Sequence, residues 1–152
     1  MVSRIPDGHA ELTAYLSVAG ASEAIDFYTR AFGAEEMSRF TTPTGTIVHA
    51  QIRIGGTILW LSDEGPGLPG PKTVGGTPVT LYLFVDDVDT MFAAAVRAGA
   101  TPERPVQDHF FGDRTGQITD PYGHRWTLAT HIEDVSPQEF ERRATAYLNR
   151  TD

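Results

Sequence analysis

The sequence contains no cysteine. Disulfides, thiolate nucleophiles and cysteine-type zinc sites are excluded together. Long apolar runs are missing as well. The longest, about Met91 to Val96, falls far short of the ~20 residues a membrane-spanning helix needs, and the opening MVSRIPDGHAEL lacks the apolar core of a signal peptide. The cytoplasm is the expected location. Basic residues are few: 12 Lys and Arg stand against 20 Asp and Glu, a formal net charge of −8. Such a chain repels nucleic acid and anionic membrane surfaces, so neither is an expected partner. The charge serves solubility and would tolerate a cationic or neutral small ligand. There is no glycine-rich phosphate loop or nucleotide fingerprint, and no spacing argues for a serine–histidine pair.

What is present suffices for one domain: 152 residues, 40% of them hydrophobic. Leu12 to Val18 alternates like a strand. Ser22 is placed to cap a helix carrying Ala24, Ile25, Tyr28, Ala31 and Phe32 on one side, with Gly33 as its stop. Strand-like runs follow near 36–41, 46–54 and 57–62, and Gly55-Gly56 makes a hairpin turn between the last two. Residues 65–78 hold five glycines and four prolines and read as a connector. The plan then restarts. Val79 to Val85 alternates, Asp89 can cap a helix to about Ala98 with Gly99 as stop, and strands follow near 105–109, 115–119 and 125–130.

The letters repeat too. Tyr15-Leu16-Ser17-Val18 matches Tyr82-Leu83-Phe84-Val85, 67 residues on, and Ala31 to Ala34 resembles Arg97 to Ala100, 66 residues on. Each unit has about 55 residues, too few to bury a good core alone. Two βαβββ units in one domain are therefore expected, module one about 10–64 and module two about 79–132. A helix over about 136–149 follows. Ser136-Pro137-Gln138-Glu139 is its capping box, with proline at the first helical position. Its Phe140, Ala144, Tyr147 and Leu148 share a face that should dock on the body or on a partner subunit, the body being the expected choice.

Glu23 to Glu35, EAIDFYTRAFGAE, resembles the first helix of the vicinal oxygen chelate superfamily, which includes glyoxalase I, bleomycin-resistance proteins, fosfomycin-resistance enzymes and extradiol dioxygenases. Gly112 to Trp126, GDRTGQITDPYGHRW, resembles its closing hairpin. Ile47 to Glu64 looks like the PhnB-like branch. The similarity covers about 10–132. It implies an α+β fold in which two tandem βαβββ modules form a curled mixed sheet with a ligand cavity, here extended by the C-terminal helix, and it implies a homodimer. Metal-using members place one ligand on each of four strands. The matching positions are Thr13, Trp60, Thr80 and Thr127. Divalent metals want imidazole or carboxylate, so the family's metal set is expected to be absent and no cofactor is expected.

Alternation then sorts the strands. His124, Trp126 and Leu128 point one way; Arg125, Thr127, Ala129 and His131 point the other. Trp126 therefore belongs to the helix-facing core, and His124 should bond near the Asp120-Pro121-Tyr122-Gly123 turn. His131 lies roughly 23 Å from His124, so the two cannot share an ion. Val48, Ala50, Ile52 and Ile54 should pack on the core, leaving His49, Gln51 and Arg53 on the other face. Tyr15, Trp60, Tyr82, Phe84 and Thr127 should line the cavity. Phe110 and its neighbour Phe111 could lid it or pack inward. Asp113-Arg114 reads first as an ion pair or turn contact and second as a substrate clamp through Arg114. His9 should be solvated. Aromatic walls with sparse polar anchors suit an aromatic or amphipathic organic ligand. Metal-free small-molecule binding, as in drug or metabolite sequestration, is the expected function. The alternative is a lyase-, isomerase- or dioxygenase-like enzyme, with His49 as acid/base group or as part of a shifted metal site. A dimeric interaction module without a ligand is a third possibility.

Overall fold

One βαβββ path is traced twice in the structure, a computed structural model that describes residues 1–150. Module one runs β1 (Tyr15–Val18), α1 (Ala21–Phe32), β2 (Glu35–Thr41), β3 (Ile47–Ile54) and β4 (Thr57–Asp63). A short α2 (Pro71–Val74) sits in the connector. Module two runs β5 (Thr80–Phe84), α3 (Val88–Ala98), β6 (Thr101–Asp108), β7 (Asp113–Thr119) and β8 (Arg125–His131), and α4 (Pro137–Leu148) follows. The two sheets have the same order, β1-β4-β3-β2 and β5-β8-β7-β6. Each first strand pairs parallel with the last of its module, and the other pairs are antiparallel. Parallel neighbours need a long crossover, which the helix and two intervening strands supply. This is the expected α+β fold, two mixed sheets with a C-terminal helix.

Both central helices lie on one side and pack on each other. Helix α1 buries Ala24, Ile25, Phe27, Tyr28, Ala31 and Phe32. It reaches into module two, where Tyr28 and Phe32 lie 5.6 and 4.7 Å from the Trp126 ring. Trp126 is buried, as alternation predicts. Beneath these rings sits Asp120, a buried carboxylate. Its Oδ2 accepts from Tyr28 Oη (2.6 Å) and Trp126 Nε1 (2.9 Å). Its Oδ1 accepts from the backbone N–H groups of Tyr122 (2.9 Å) and His124 (3.0 Å). Burial pushes the Tyr28 phenol well above its ordinary pKa, and the Asp120 charge adds to the rise. The ring of His124 reaches further than the turn, with Nε2 3.0 Å from the Ser17 carbonyl of β1.

Several local expectations are corrected. Helix α1 is not capped by Ser22; its cap residue is Gly20. The carboxylate of Asp63, at the end of β4, accepts from Ala21 N (2.6 Å) with one oxygen and from Ile47 N (2.7 Å) with the other. Asp87, not Asp89, caps α3, accepting from Thr90 N at 3.1 Å. Val48 is 46% exposed while Ile47 is buried, because the β2–β3 register shifts between Phe40 and Thr41. A bulge of this kind turns one residue out of the alternation. Strand β6 begins at Thr101, ahead of the expected 105, and its prolines sit on the edge of the sheet, where a missing N–H is tolerated.

The Ser136 hydroxyl accepts from Glu139 N (3.2 Å) at the start of α4. The Glu139 carboxylate binds Arg142 (2.6 Å) and Arg143 (2.7 Å), which hold its pKa down to about 2. Helix α4 docks on the body through Phe140 and Tyr147, whose rings lie 5.7 and 5.2 Å from Phe110, and through Arg143 on Glu133 (2.7 Å). None of its residues is fully buried. Among the described residues no helix is long and apolar enough to cross a membrane.

Candidate functional site

Residues facing each other across paired strands share a face of the sheet. In module one this sets Tyr15, Trp60, Gln51 and Ser38 in one row across the concave face. In module two the corresponding row is Tyr82, Thr127, Gln117 and Arg104. Tyrosine and glutamine recur at equivalent places. Between them stands an indole in one module and a threonine in the other.

On the module-one face the side chains contact one another. Tyr15 Oη lies 3.3 Å from His49 Nδ1, and Gln51 Nε2 lies 3.4 Å from His49 Nε2. The His49 ring stands nearly edge-on to Trp60, 5.1 Å between centroids. His9 is not simply solvated: its ring packs 5.8 Å from Trp60 and its Nε2 accepts from Trp60 Nε1 at 3.4 Å. Arg53 shares this face by register but is exposed, with Nη2 3.8 Å from Met37 Sδ.

The module-two face holds a cavity of about 330 Å³. Its floor is Tyr82, Thr127, Gln117 and Thr115; Arg104 and Pro105 bound it on β6; His109, Phe110, Phe111 and Tyr147 complete the lining. His109 stacks flat on Phe111 at 5.0 Å and its Nε2 lies 2.9 Å from Thr115 Oγ1. Tyr82 donates to Asp113 Oδ2 at 3.4 Å. Burial raises the Tyr82 pKa and the Asp113 charge adds to it. Asp113 Oδ1 is 2.8 Å from His131 Nδ1, whose Nε2 is 2.9 Å from Asp134. These hydrogen bonds, Asp113 first, raise the pKa of His131.

Of the residues singled out by sequence, Tyr82, Phe110 and Thr127 line this hollow. Tyr15, His49, Gln51 and Trp60 meet on the other module. Phe84 lies outside the hollow, 5.2 Å from the Tyr82 ring and beside His131. Arg114 does not line the hollow. It pairs opposite Thr130, one place out of phase with the cavity row, and binds Asp89 of α3 and Asp108, each at 2.8 Å. Sequence reasoning missed Arg104, His109, Gln117 and Tyr147 as cavity residues. Gln117 carried a signal, the 66-residue repeat of Gln51. Arg104 and His109 carried none, because register shifts interrupt β6.

A second cleft, about 390 Å³, lies between the modules and is lined by Leu12, Ala14, Leu59, Leu81 and Leu83 among others. Its few hydroxyls give little to orient a ligand. As for a metal, the four positions that the resemblance assigns to its ligands hold Thr13, Trp60, Thr80 and Thr127, whose donor chemistry does not fit a divalent ion. Among the described residues no three His, Asp or Glu side chains gather where they could hold one.

Paired βαβββ modules around concave sheets define the glyoxalase class of fold. The sequence profile of the Glyoxalase/Bleomycin resistance protein/Dioxygenase superfamily matches residues 8–128, and the chain belongs to that superfamily. It is 42% identical over 135 residues to an uncharacterised protein of Mycobacterium tuberculosis H37Rv, covering 86% of this chain and 79% of that one. The crystal structure of TioX from Micromonospora sp. ML1 is similar at a TM-score of 0.66 and 29% identity, covering 81% of this chain and 99% of TioX. A PhnB protein from Bacillus cereus shares the fold at a TM-score of 0.64 and 22% identity, covering 80% of this chain and 99% of its own.

Proposed function

We propose that this protein binds a small organic molecule in the module-two hollow, without a metal or cofactor, and acts as a homodimer that sequesters a drug or metabolite. The hollow itself carries the reading: rings surround a threonine that stands where the resemblance assigns a metal ligand. Tyr82, Phe110, Phe111 and Tyr147 offer stacking surfaces, and Gln117 with the Thr115–His109 pair offers sparse directional contacts. Such a lining recognises aromatic or amphipathic ligands. The single chain also leaves Tyr15 43%, Tyr82 48% and Phe84 59% exposed. Large apolar side chains gathered on concave faces suit burial against a second copy.

A thermal-shift screen of aromatic compounds tests the reading. Hits are expected to survive treatment with a chelator and to vanish in Thr127→Trp, which fills the hollow. Hits that depend on a divalent ion, or that ignore the filled hollow, would sink it. Sedimentation of the free protein as a monomer would remove the homodimer. A second reading, acid/base chemistry on module one, is favoured by the contacts of His49 with Tyr15 and Gln51. It expects His49→Ala to abolish turnover while leaving ligand binding in module two unchanged.

A further inference from the structure

We infer that the module-two hollow selects planar aromatic ligands that carry an anionic group, an aryl carboxylate or sulfonate, with Arg104 as the counter-charge. The inference rests on the reading of that hollow as the ligand site and gives the ligand its charge, against the sign of the chain as a whole.

Charge bookkeeping within the hollow supports it. The chain carries −8, yet no Asp or Glu lines the hollow. Arg104 is the one lining side chain with a permanent charge. The arginines of the ion pairs are already engaged: Arg39 with Glu36, Arg114 with Asp89 and Asp108, Arg142 with Glu139, and Arg143 with Glu133 and Glu139. Arg104 makes no ion pair or side-chain hydrogen bond with any described residue, so its guanidinium fork is free for a planar oxyanion. The acids on strands β6 and β7 have other partners. Asp113 is held by His131 and Tyr82, Asp108 by Arg114, and Glu103 by Thr119.

The backbone singles out the same residue. Strand β6 shifts register on both sides of Arg104, between Pro102 and Arg104 and again between Arg104 and Gln107. Bulges re-aim side chains and cluster next to binding sites. Here they set Arg104 opposite Gln117 on the hollow's row, in a lining shared with the flat His109–Phe111 stack and Tyr147. At about 330 Å³ the space lies at the small end of ligand pockets, ~300–1,000 Å³, which suits one or two ring systems.

Two fluorescent probes of the same shape separate charge from fit: anilinonaphthalene sulfonate, an anion, and phenyl-naphthylamine, its uncharged counterpart. Both are titrated into the full-length wild-type protein and into Arg104→Leu, Arg104→Lys and Thr127→Trp. Arg104→Leu is expected to weaken the sulfonate about tenfold and the neutral probe less than about twofold, as loss of one charge-assisted contact predicts. Arg104→Lys should keep most of the sulfonate affinity. Added salt should weaken the sulfonate in wild type and have little effect in Arg104→Leu. Equal sulfonate affinity in wild type and Arg104→Leu, with Thr127→Trp still excluding both probes, overturns the charge assignment and leaves the hollow standing. Parallel loss of both probes in Arg104→Leu also overturns it, since the arginine would then act through the fold. Binding of both probes to Thr127→Trp as to wild type overturns the hollow itself.

Discussion

Replacing Asp120 by asparagine tests how the two modules are joined. One oxygen of this buried carboxylate accepts from Tyr28 Oη and Trp126 Nε1; the other accepts from the backbone N–H groups of Tyr122 and His124. All four donors point at it, so an amide –NH₂ must meet two of them whichever way it flips. With the –NH₂ on the ring side, the Tyr28 hydroxyl can rotate and accept, but the Trp126 indole keeps a buried donor without an acceptor. That costs about 1–3 kcal/mol, and exchanging charge-assisted for neutral hydrogen bonds costs about 1 kcal/mol more. A loss of about 3 kcal/mol is expected, or roughly 6–12 °C in Tm for a domain of this size. Tyr28→Phe removes one donor and leaves three, so about 1 kcal/mol is expected. Urea unfolding followed by tryptophan fluorescence measures both, with Trp126 reporting from within the network. An Asp120→Asn variant within about 0.5 kcal/mol of wild type, or a Tyr28→Phe variant equally costly, would refute the reasoning.

Three further perturbations follow from the same geometry. Asp63→Ala removes the long-range cap of α1 and the acceptor for Ile47 N, and a loss of about 2 kcal/mol in chemical unfolding is expected. Ser62→Ala deletes a buried hydroxyl with no hydrogen-bond partner among the described residues, so the same assay should show a gain of up to about 1 kcal/mol. His131 has its pKa raised from 6.5 by Asp113 and Asp134, so its clamp on the segment leading to α4 is complete below the unfolded value and fades as pH rises through the folded one. A Tm-against-pH profile should fall over that window in wild type and fall less in His131→Asn.

The repeat made the fold legible. Tyr15 to Val18 returning as Tyr82 to Val85 fixed the module length, and the strong alternation around Trp126 fixed which face of β8 meets the helices. What escaped was set by residues far apart in the chain. Nothing near Ala21 announces that Asp63, 42 positions on, caps its helix. Val48 reads as core because periodicity assumes an unbroken register, and a bulge breaks it. Arg114 was read first as an ion-pair or turn residue and second as a clamp, and one step of strand parity turns it from the cavity row to Asp89 on α3. The module-one aromatics Tyr15 and Trp60 were expected in one cavity with Tyr82 and Phe84, and the structure sets them apart on module one. The contact of Trp60 with His9 was not expected, since an N-terminal stretch without periodicity carries no signal of where it docks.

The duplicated row differs between the modules at its centre. Tyr15 and Gln51 correspond to Tyr82 and Gln117, so both modules carry the same side walls. In module one the position between them is Trp60, whose indole spans the concave face and meets His49 and His9. In module two it is Thr127, two carbons and a hydroxyl, and the space an indole would take stays open beneath Tyr147. The fourth place in the row diverges in the same sense, a neutral Ser38 against a charged Arg104. Bulk and charge thus distinguish the two faces: in module one the aromatic residues pack on one another, and in module two they line a cavity.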